Sequence, residues 1–171
     1  GTNIACALAN FGLKIAYVGK VGQDLIGEQT LVDLKKFGVG IGFVQKDKQR
    51  PTAVSVVLSP MAGDRTILVY QGACHFLKKT EVSWGKIKKA QWWFLAPFYQ
   101  QTAELFGPLV DFAKANSIKV AVNLSSVQLA LGRDILRESL RKVDILFLNH
   151  REAEKLAEVS REDEKGLLLS L

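Results

Sequence analysis

Residues 91–122, QWWFLAPFYQQTAELFGPLVDFAKANSIKVAV, carry the alternation that decides the fold. Trp92 to Leu95 is a short aromatic and apolar run of strand character. Gln101 to Asn116 repeats its apolar residues at helical spacing, and Ile118 to Val122 is again β-branched. The pattern continues downstream, where Arg133 to Lys142 reads as a helix, Ile145 to Leu148 as a strand and His150 to Glu158 as a helix. Strands alternating with helices predict crossover connections around a mainly parallel sheet, an α/β fold.

The same logic runs upstream. Asn3 to Phe11 places Ala5, Leu8 and Ala9 at helical spacing, with Gly12 as a stop, and Lys14 to Val18 reads as a strand. Asp24 is a candidate cap for a helix through Lys36, with Leu25, Leu31, Val32 and Leu34 turned inward and Gly38 ending it. Then the character changes. Val39 to Val44, Thr52 to Ser59 and Thr66 to Tyr70 are short β-branched runs, and the turn residues Met61-Ala-Gly-Asp-Arg65 predict a hairpin between the last two. The expected organisation is an α/β core over residues 1–38 and 71–171, interrupted by a small β-unit over residues 39–70.

Composition narrows the function classes. Hydrophobic residues make up 48% of the 171 and charged residues 23%, which is globular usage. No apolar run approaches the roughly 18 residues of a membrane span. Cys6 and Cys74 have neither a disulfide framework nor metal-ligand spacing, so reduced thiols in a cytoplasmic protein are expected. Lys and Arg outnumber Asp and Glu by 23 to 17, for a formal charge of +6. The basic residues are dispersed and no aromatic residues interleave with them, which fits solvated faces and argues against a nucleic-acid partner. The sequence opens on Gly1 and stops inside the apolar run Gly166 to Leu171, so a fragment is expected.

In folds of this class ligands bind at the carboxyl ends of the strands, here the loops 19–24, 96–100, 123–128 and 149–152. Gly19-Lys-Val-Gly-Gln-Asp24-Leu-Ile-Gly27 is neither of the common glycine-rich nucleotide fingerprints; a tight turn capped by Asp24 and a phosphate-binding loop both remain open. Asn149-His-Arg-Glu152 fits a capping box, and it also fits a carboxylate and amide set beside a phosphate-attracting helix N-terminus. A glutamate in that position suits Mg²⁺ held through water. Asn123 is a third polar residue at the same edge. Trp92-Trp93 reads as core with one partly exposed face.

Four stretches together resemble the PfkB family of carbohydrate kinases. These are Gly1-Thr-Asn3-Ile-Ala5 through Gly12; Val18-Gly19-Lys-Val-Gly22-Gln-Asp24-Leu-Ile-Gly27, followed by Phe37-Gly38-Val39; Pro51-Thr52-Ala53 through Gly63-Asp-Arg65-Thr66 to Gln71-Gly72-Ala73; and Asn149-His-Arg-Glu152-Ala-Glu, which matches an N-x-x-E motif. They fall in the family's order. The resemblance implies a ribokinase-like three-layer α/β/α fold with a small β-lid, incomplete here at both ends. It implies transfer of the ATP γ-phosphoryl group to a carbohydrate hydroxyl under a lid that excludes water. Asn3 would meet the sugar hydroxyls, with Gly1 allowing close backbone approach and Phe98 and Asn123 lining the same cleft. Asn149 and Glu152 would organise the phosphates and Mg²⁺, Glu152 through water. ATP, Mg²⁺ and a monovalent cation are the implied cofactors, and a homodimer through the lid is an implied assembly.

The departures matter equally. The family's catalytic aspartate lies in a G-x-G-D motif that does not occur in this sequence, so no catalytic base is assigned and the isolated chain is expected to be inactive. Phe98 stands near the position of a sugar-contacting glutamate of ribokinases, and Cys74 stands where those enzymes carry asparagine. Both changes point away from ribose and toward a hexose, a phosphorylated sugar or a nucleoside. The expected function is therefore the substrate-binding and lid part of a sugar kinase. A nucleoside kinase of the same fold and a non-catalytic sugar-binding module are the alternatives.

Overall fold

The structure, a computed structural model, describes residues 1–59 and 65–157. The turn at 61–64 and the residues from Glu158 onward lie outside that range, as does the apolar stretch 166–171. The chain divides into two compact units, Gly1–Ser83 and Trp84–Leu171.

The first unit opens with α1 (Thr2–Asn10), β1 (Ala16–Gly22), α2 (Leu25–Lys36) and β2 (Gly40–Asp47). β1 and β2 pair in parallel, from Ala16 opposite Gly40 to Gly22 opposite Asp47. The sequence reading grouped Val39 to Val44 with the small β-unit. Its strand instead completes a β1–α2–β2 crossover, because two parallel strands need a helical connection of this length between them. The antiparallel ribbon is confined to β3 (Val54–Leu58) and β4 (Thr66–Tyr70), paired from Val54 opposite Tyr70 to Leu58 opposite Thr66. Short 3₁₀ turns at Ala73–Phe76 and Lys79–Glu81 follow.

Helix α2 has two apolar stripes. Leu34 is buried with Ala5 and Val39, and Leu31 packs beside them. Leu25 and Val32, expected inward, are 83% and 57% exposed. Leu25 and Leu34 stand nine residues apart, roughly two and a half turns at about 3.6 residues per turn, so they face opposite sides. Only one stripe can meet the α1–β1–β2 core.

The second unit contains a short α3 (Trp84–Ile87) and a three-stranded parallel sheet in the order β5 (Trp92–Leu95), β6 (Lys119–Asn123), β7 (Ile145–Phe147). The helix expected from Gln101 begins as a 3₁₀ turn, Gln100–Leu105, and becomes α4 only at Phe106–Ala115. Pro108 explains the boundary. It has no N–H for the preceding turn, so it fits the first turn of α4 and would break a helix already running from Gln101. Further on lie α5 (Ser126–Leu129), α6 (Arg133–Leu140) and α7 (His150–Ala157). Trp93 is buried, stacked on Phe112 at 5.9 Å, with its indole N–H donating to the Ile87 carbonyl at 3.2 Å. Trp92 is half exposed beneath the Lys119 ammonium. Among the described residues no helix is long and apolar enough to cross a membrane.

The two stripes of α2 give a direct test. Leu34→Ala leaves a cavity at a site only 1% exposed and is expected to cost roughly 2–5 kcal/mol. Leu25→Ala should stay within about 0.5 kcal/mol. Urea denaturation of both variants measures the difference.

Candidate functional site

The polar residues of the first unit converge on the end of the parallel pair. Lys20, on β1, is only 7% exposed. Its ammonium has three N–H donors, and three acceptors surround it: Glu81 Oε1 at 2.8 Å, Asp47 Oδ2 at 3.4 Å and the Phe76 carbonyl at 3.4 Å. Asp47, on β2, also accepts from the backbone N–H groups of Gln49 and Arg50. The Arg50 guanidinium lies 3.9 Å from the centre of the Phe76 ring. This buried network joins β1, β2 and the segment returning from the ribbon.

The glycine loop that follows β1 resolves into a capped turn. Asp24 Oδ1 accepts the Gly27 N–H at 2.7 Å and so caps α2. The Gly22 N–H donates to Thr52 Oγ1 at 2.9 Å. Both glycine amides are thus taken by oxygens of the chain. Gly27 is required by close approach, since a Cβ there would lie 2.4 Å from the Gly22 carbonyl oxygen. Gly1 and Asn3 are exposed at the start of α1.

In the second unit the structure brings Phe98, Asn123, Asn149 and Glu152 to the carboxyl ends of β5, β6 and β7. Asn123 Nδ2 donates to the Phe147 carbonyl at 3.0 Å, bracing β6 against β7. Asn149 and Glu152 form a reciprocal box: the Glu152 N–H donates to Asn149 Oδ1 and the Asn149 N–H to Glu152 Oε2, each at 2.9 Å. Phe98 is half-buried, its ring 6.3 Å from that of Phe106.

Gln128 and Ser125 were not singled out in the sequence, and each is 1% exposed. Gln128 Oε1 accepts from Phe98 N–H at 3.1 Å and Ser125 N–H at 3.0 Å, and Ser125 Oγ donates to the Phe98 carbonyl. They tie the loop after β5 to the loop after β6. The available signal was Ser125-x-x-Gln128, a capping-box spacing. No group of three or more His, Cys, Asp or Glu residues suited to a metal ion occurs among the described residues. A cation here would have one protein carboxylate and otherwise water or phosphate oxygens, an environment that suits Mg²⁺.

Parallel strands with helical crossovers and polar loops at their carboxyl ends define an α/β protein, and its structural neighbours are kinases of the ribokinase fold. That fold is shared by a PfkB protein from Polaromonas (TM-score 0.84, 17% identity, 99% of this chain and 60% of that one). An adenosine kinase from Sinorhizobium meliloti matches with TM-score 0.80 and 28% identity over 98% of this chain and 53% of its own. A pfkB family carbohydrate kinase model matches residues 1–170, and the chain belongs to that family. Among curated relatives, a ribokinase of Haemophilus influenzae is 26% identical over 97% of this chain and 53% of its own length. A probable fructokinase of Arabidopsis thaliana is 36% identical over 52% of this chain and 28% of its own. The chain spans about half the length of its full-coverage relatives.

The hydrogen-bonded carboxylates and His75 fix how the first unit responds to acid. Hydrogen bonds from Thr52 and Gly27 hold the Asp24 carboxyl below its ordinary 3.8. The Gln49 N–H leads a set of donors that lowers Asp47 against partial desolvation. Desolvation pushes Glu81 upward, but Lys20 and the Lys78 N–H outweigh it and leave the group below 4.5. A carboxyl with a depressed folded pKa contributes stability above its unfolded pKa and loses it as pH falls through the folded value. Burial also lowers His75 from 6.5, so its protonation opposes folding from that pH downward. Thermal unfolding followed from pH 7 to pH 2 should show the midpoint declining first below about pH 6.5 and more steeply below about pH 4.5. Lys20→Met removes the ammonium from Asp47 and Glu81, which keep their backbone donors, and should cost roughly 1.5–3 kcal/mol at pH 7, with a weaker acid dependence than wild type.

Proposed function

We propose that this chain is the substrate-binding and lid part of an ATP-dependent sugar kinase. The reaction is transfer of the ATP γ-phosphoryl group to a carbohydrate hydroxyl in the cytoplasm. The observation that carries the reading is the reciprocal Asn149–Glu152 box at the carboxyl end of β7, within a chain matched by the family over residues 1–170. The box engages Glu152 Oε2 and leaves Oε1 outside the reciprocal pair. In this reading Oε1 holds a water of Mg²⁺, and the exposed start of α7 favours the phosphates. Magnesium neutralises charge on the transferring phosphoryl group when bound. Asn3 and Gly1 meet the sugar hydroxyls, Phe98 and Asn123 line the cleft, and a monovalent cation is a further expected cofactor.

The β3–β4 ribbon supports the lid reading. All five residues of β4, and four of five in β3, are exposed, yet their side chains are mostly Val, Ile, Leu and Tyr. A two-stranded ribbon alone is marginally stable in water, which favours cover on one face by substrate and on the other by the lid of a second copy.

A nucleoside acceptor is the second reading, favoured by the 28% identity to the adenosine kinase. The non-catalytic sugar-binding module follows if the full-length gene product carries no G-x-G-D motif. Competition between adenosine and fructose for the full-length gene product separates the two acceptors. Glu152→Ala in that protein should lower kcat by about 10²-fold or more while the sugar KM changes less than about threefold, measured by ADP release. A large KM change with kcat intact would overturn the assignment of Glu152.

A further inference from the structure

The β3–β4 ribbon touches the rest of its unit chiefly through its two roots, Pro51–Ala53 and Gln71–Ala73. Thr52 is 7% exposed and Ala73 fully buried, whereas the strands between them are open on both faces. The second root is fastened to the first: the Ala73 N–H donates to the Pro51 carbonyl at 2.8 Å. Gly72 lies so close that a Cβ there would sit 2.2 Å from the same oxygen. The first root is fastened to the body. The Thr52 N–H donates to Asp24 Oδ2 at 2.7 Å, and Thr52 Oγ1 donates to Asp24 Oδ1 at 2.7 Å while accepting from the Gly22 N–H. The same Asp24 carboxylate caps α2 through Gly27.

We propose that Asp24 is a positioning residue: with Thr52 it forms the anchor that fixes the β3–β4 ribbon to the β1–α2 turn, and thereby sets where the ribbon sits over an acceptor substrate. The geometry gives one carboxylate three donors, two from the ribbon's first root and one from the helix. Such charge-assisted bonds are shorter and stronger than neutral ones, so the anchor holds the ribbon's first root in place. The carboxylate has no role in the chemistry. Its loss acts on substrate capture, whereas loss of Glu152 acts on turnover. The second half of the proposal rests on the kinase reading; the anchor itself does not.

Two variants separate the links. Thr52→Val deletes the hydroxyl but leaves the Asp24 cap on α2 intact. Asp24→Asn keeps Oδ1 for Gly27 and turns an N–H toward the Thr52 N–H. Thr52→Ser is the conservative control. Backbone ¹⁵N order parameters of the full chain are the first readout. In wild type and Thr52→Ser, β3 and β4 should lie near the rigid value of about 0.85, and in Thr52→Val and Asp24→Asn they should fall below about 0.6 while α2 and residues 16–21 of β1 stay unchanged. A ribbon equally ordered in all four proteins, or disordered already in wild type, overturns the anchor. So does a loss of order spread evenly over α2 and β1. The second readout is steady-state kinetics of the full-length gene product. Thr52→Val and Asp24→Asn should raise the acceptor KM about tenfold with kcat within about twofold, and Thr52→Ser should restore it. Loosened ribbons with unchanged KM overturn the positioning role. A wild type without phosphoryl transfer overturns the kinase reading and the positioning role together, while the order parameters still decide the anchor.

Discussion

The first unit depends on a charge that has been taken out of water. Lys20 sits on β1 with almost no exposure, where an isolated ammonium would be strongly disfavoured. It persists because its three donors meet acceptors from three segments: Asp47 on β2, and Glu81 and the Phe76 carbonyl on the return from the ribbon. A hydrophobic residue could fill the same volume without needing those partners, and buried ion pairs are often replaceable at no loss of stability. What a hydrophobe cannot supply is direction. The ammonium accepts only an arrangement in which β2 and the Lys79–Glu81 turn both reach it, so the pairing of β1 with β2 and the path of the chain after the ribbon are fixed together.

Around that centre polar side chains repeatedly substitute for missing packing. The segment between β2 and β3 has little apolar surface to bury, and it is held instead by Asp47 on Gln49 and Arg50 and by Asp24 on Thr52. In the second unit Gln128 and Ser125 do the same for the loops after β5 and β6. Loops at the carboxyl ends of parallel strands run over the surface, and here the loop after β6 reaches the core through Leu124. Buried amide and hydroxyl groups give them defined shapes there, provided their hydrogen bonds are made.

This division explains what could be read in the sequence. The alternation of β-branched runs with helical spacing was legible because period is a local property, and Asp24 and Asn149–Glu152 were legible because capping patterns span only a few residues. The partner of β2 was not. Val39 to Val44 looks the same whether its neighbour is a hairpin strand or β1, and the pairing is set by the crossover through α2. The stripe of α2 that faces the core was likewise undetermined, since Leu25 with Val32 and Leu31 with Leu34 are equally apolar. Lys20 and Thr52 carry no local signature, and the capping-box spacing that includes Gln128 does not reveal its reach to Phe98. Each is polar, and each is buried only because partners 28 to 61 residues away, or across a turn, come to it. Of the candidate site, the Asn149–Glu152 pair was legible as a unit, while the polar ties that hold Phe98 in place became visible only through contacts across the sheet.

The two readings of Asn149 and Glu152 are complementary. A glutamate serving only as a cap would need one oxygen on the Asn149 N–H, and the box supplies that bond. A glutamate poised for a hydrated cation would need its carboxylate held in one rotamer with an oxygen left over. The same bond does this, because fixing Oε2 also fixes where Oε1 points. Asn149 Oδ1 meanwhile takes the Glu152 N–H, and the remaining first-turn amides of α7 keep the partial positive charge of a helix start. Capping thus orders the carboxylate by bonds within the chain alone, and ordering of that kind is what electrostatic stabilisation of a phosphoryl group would require under the proposed function. The bond that stabilises the helix is the one that would prepare the site.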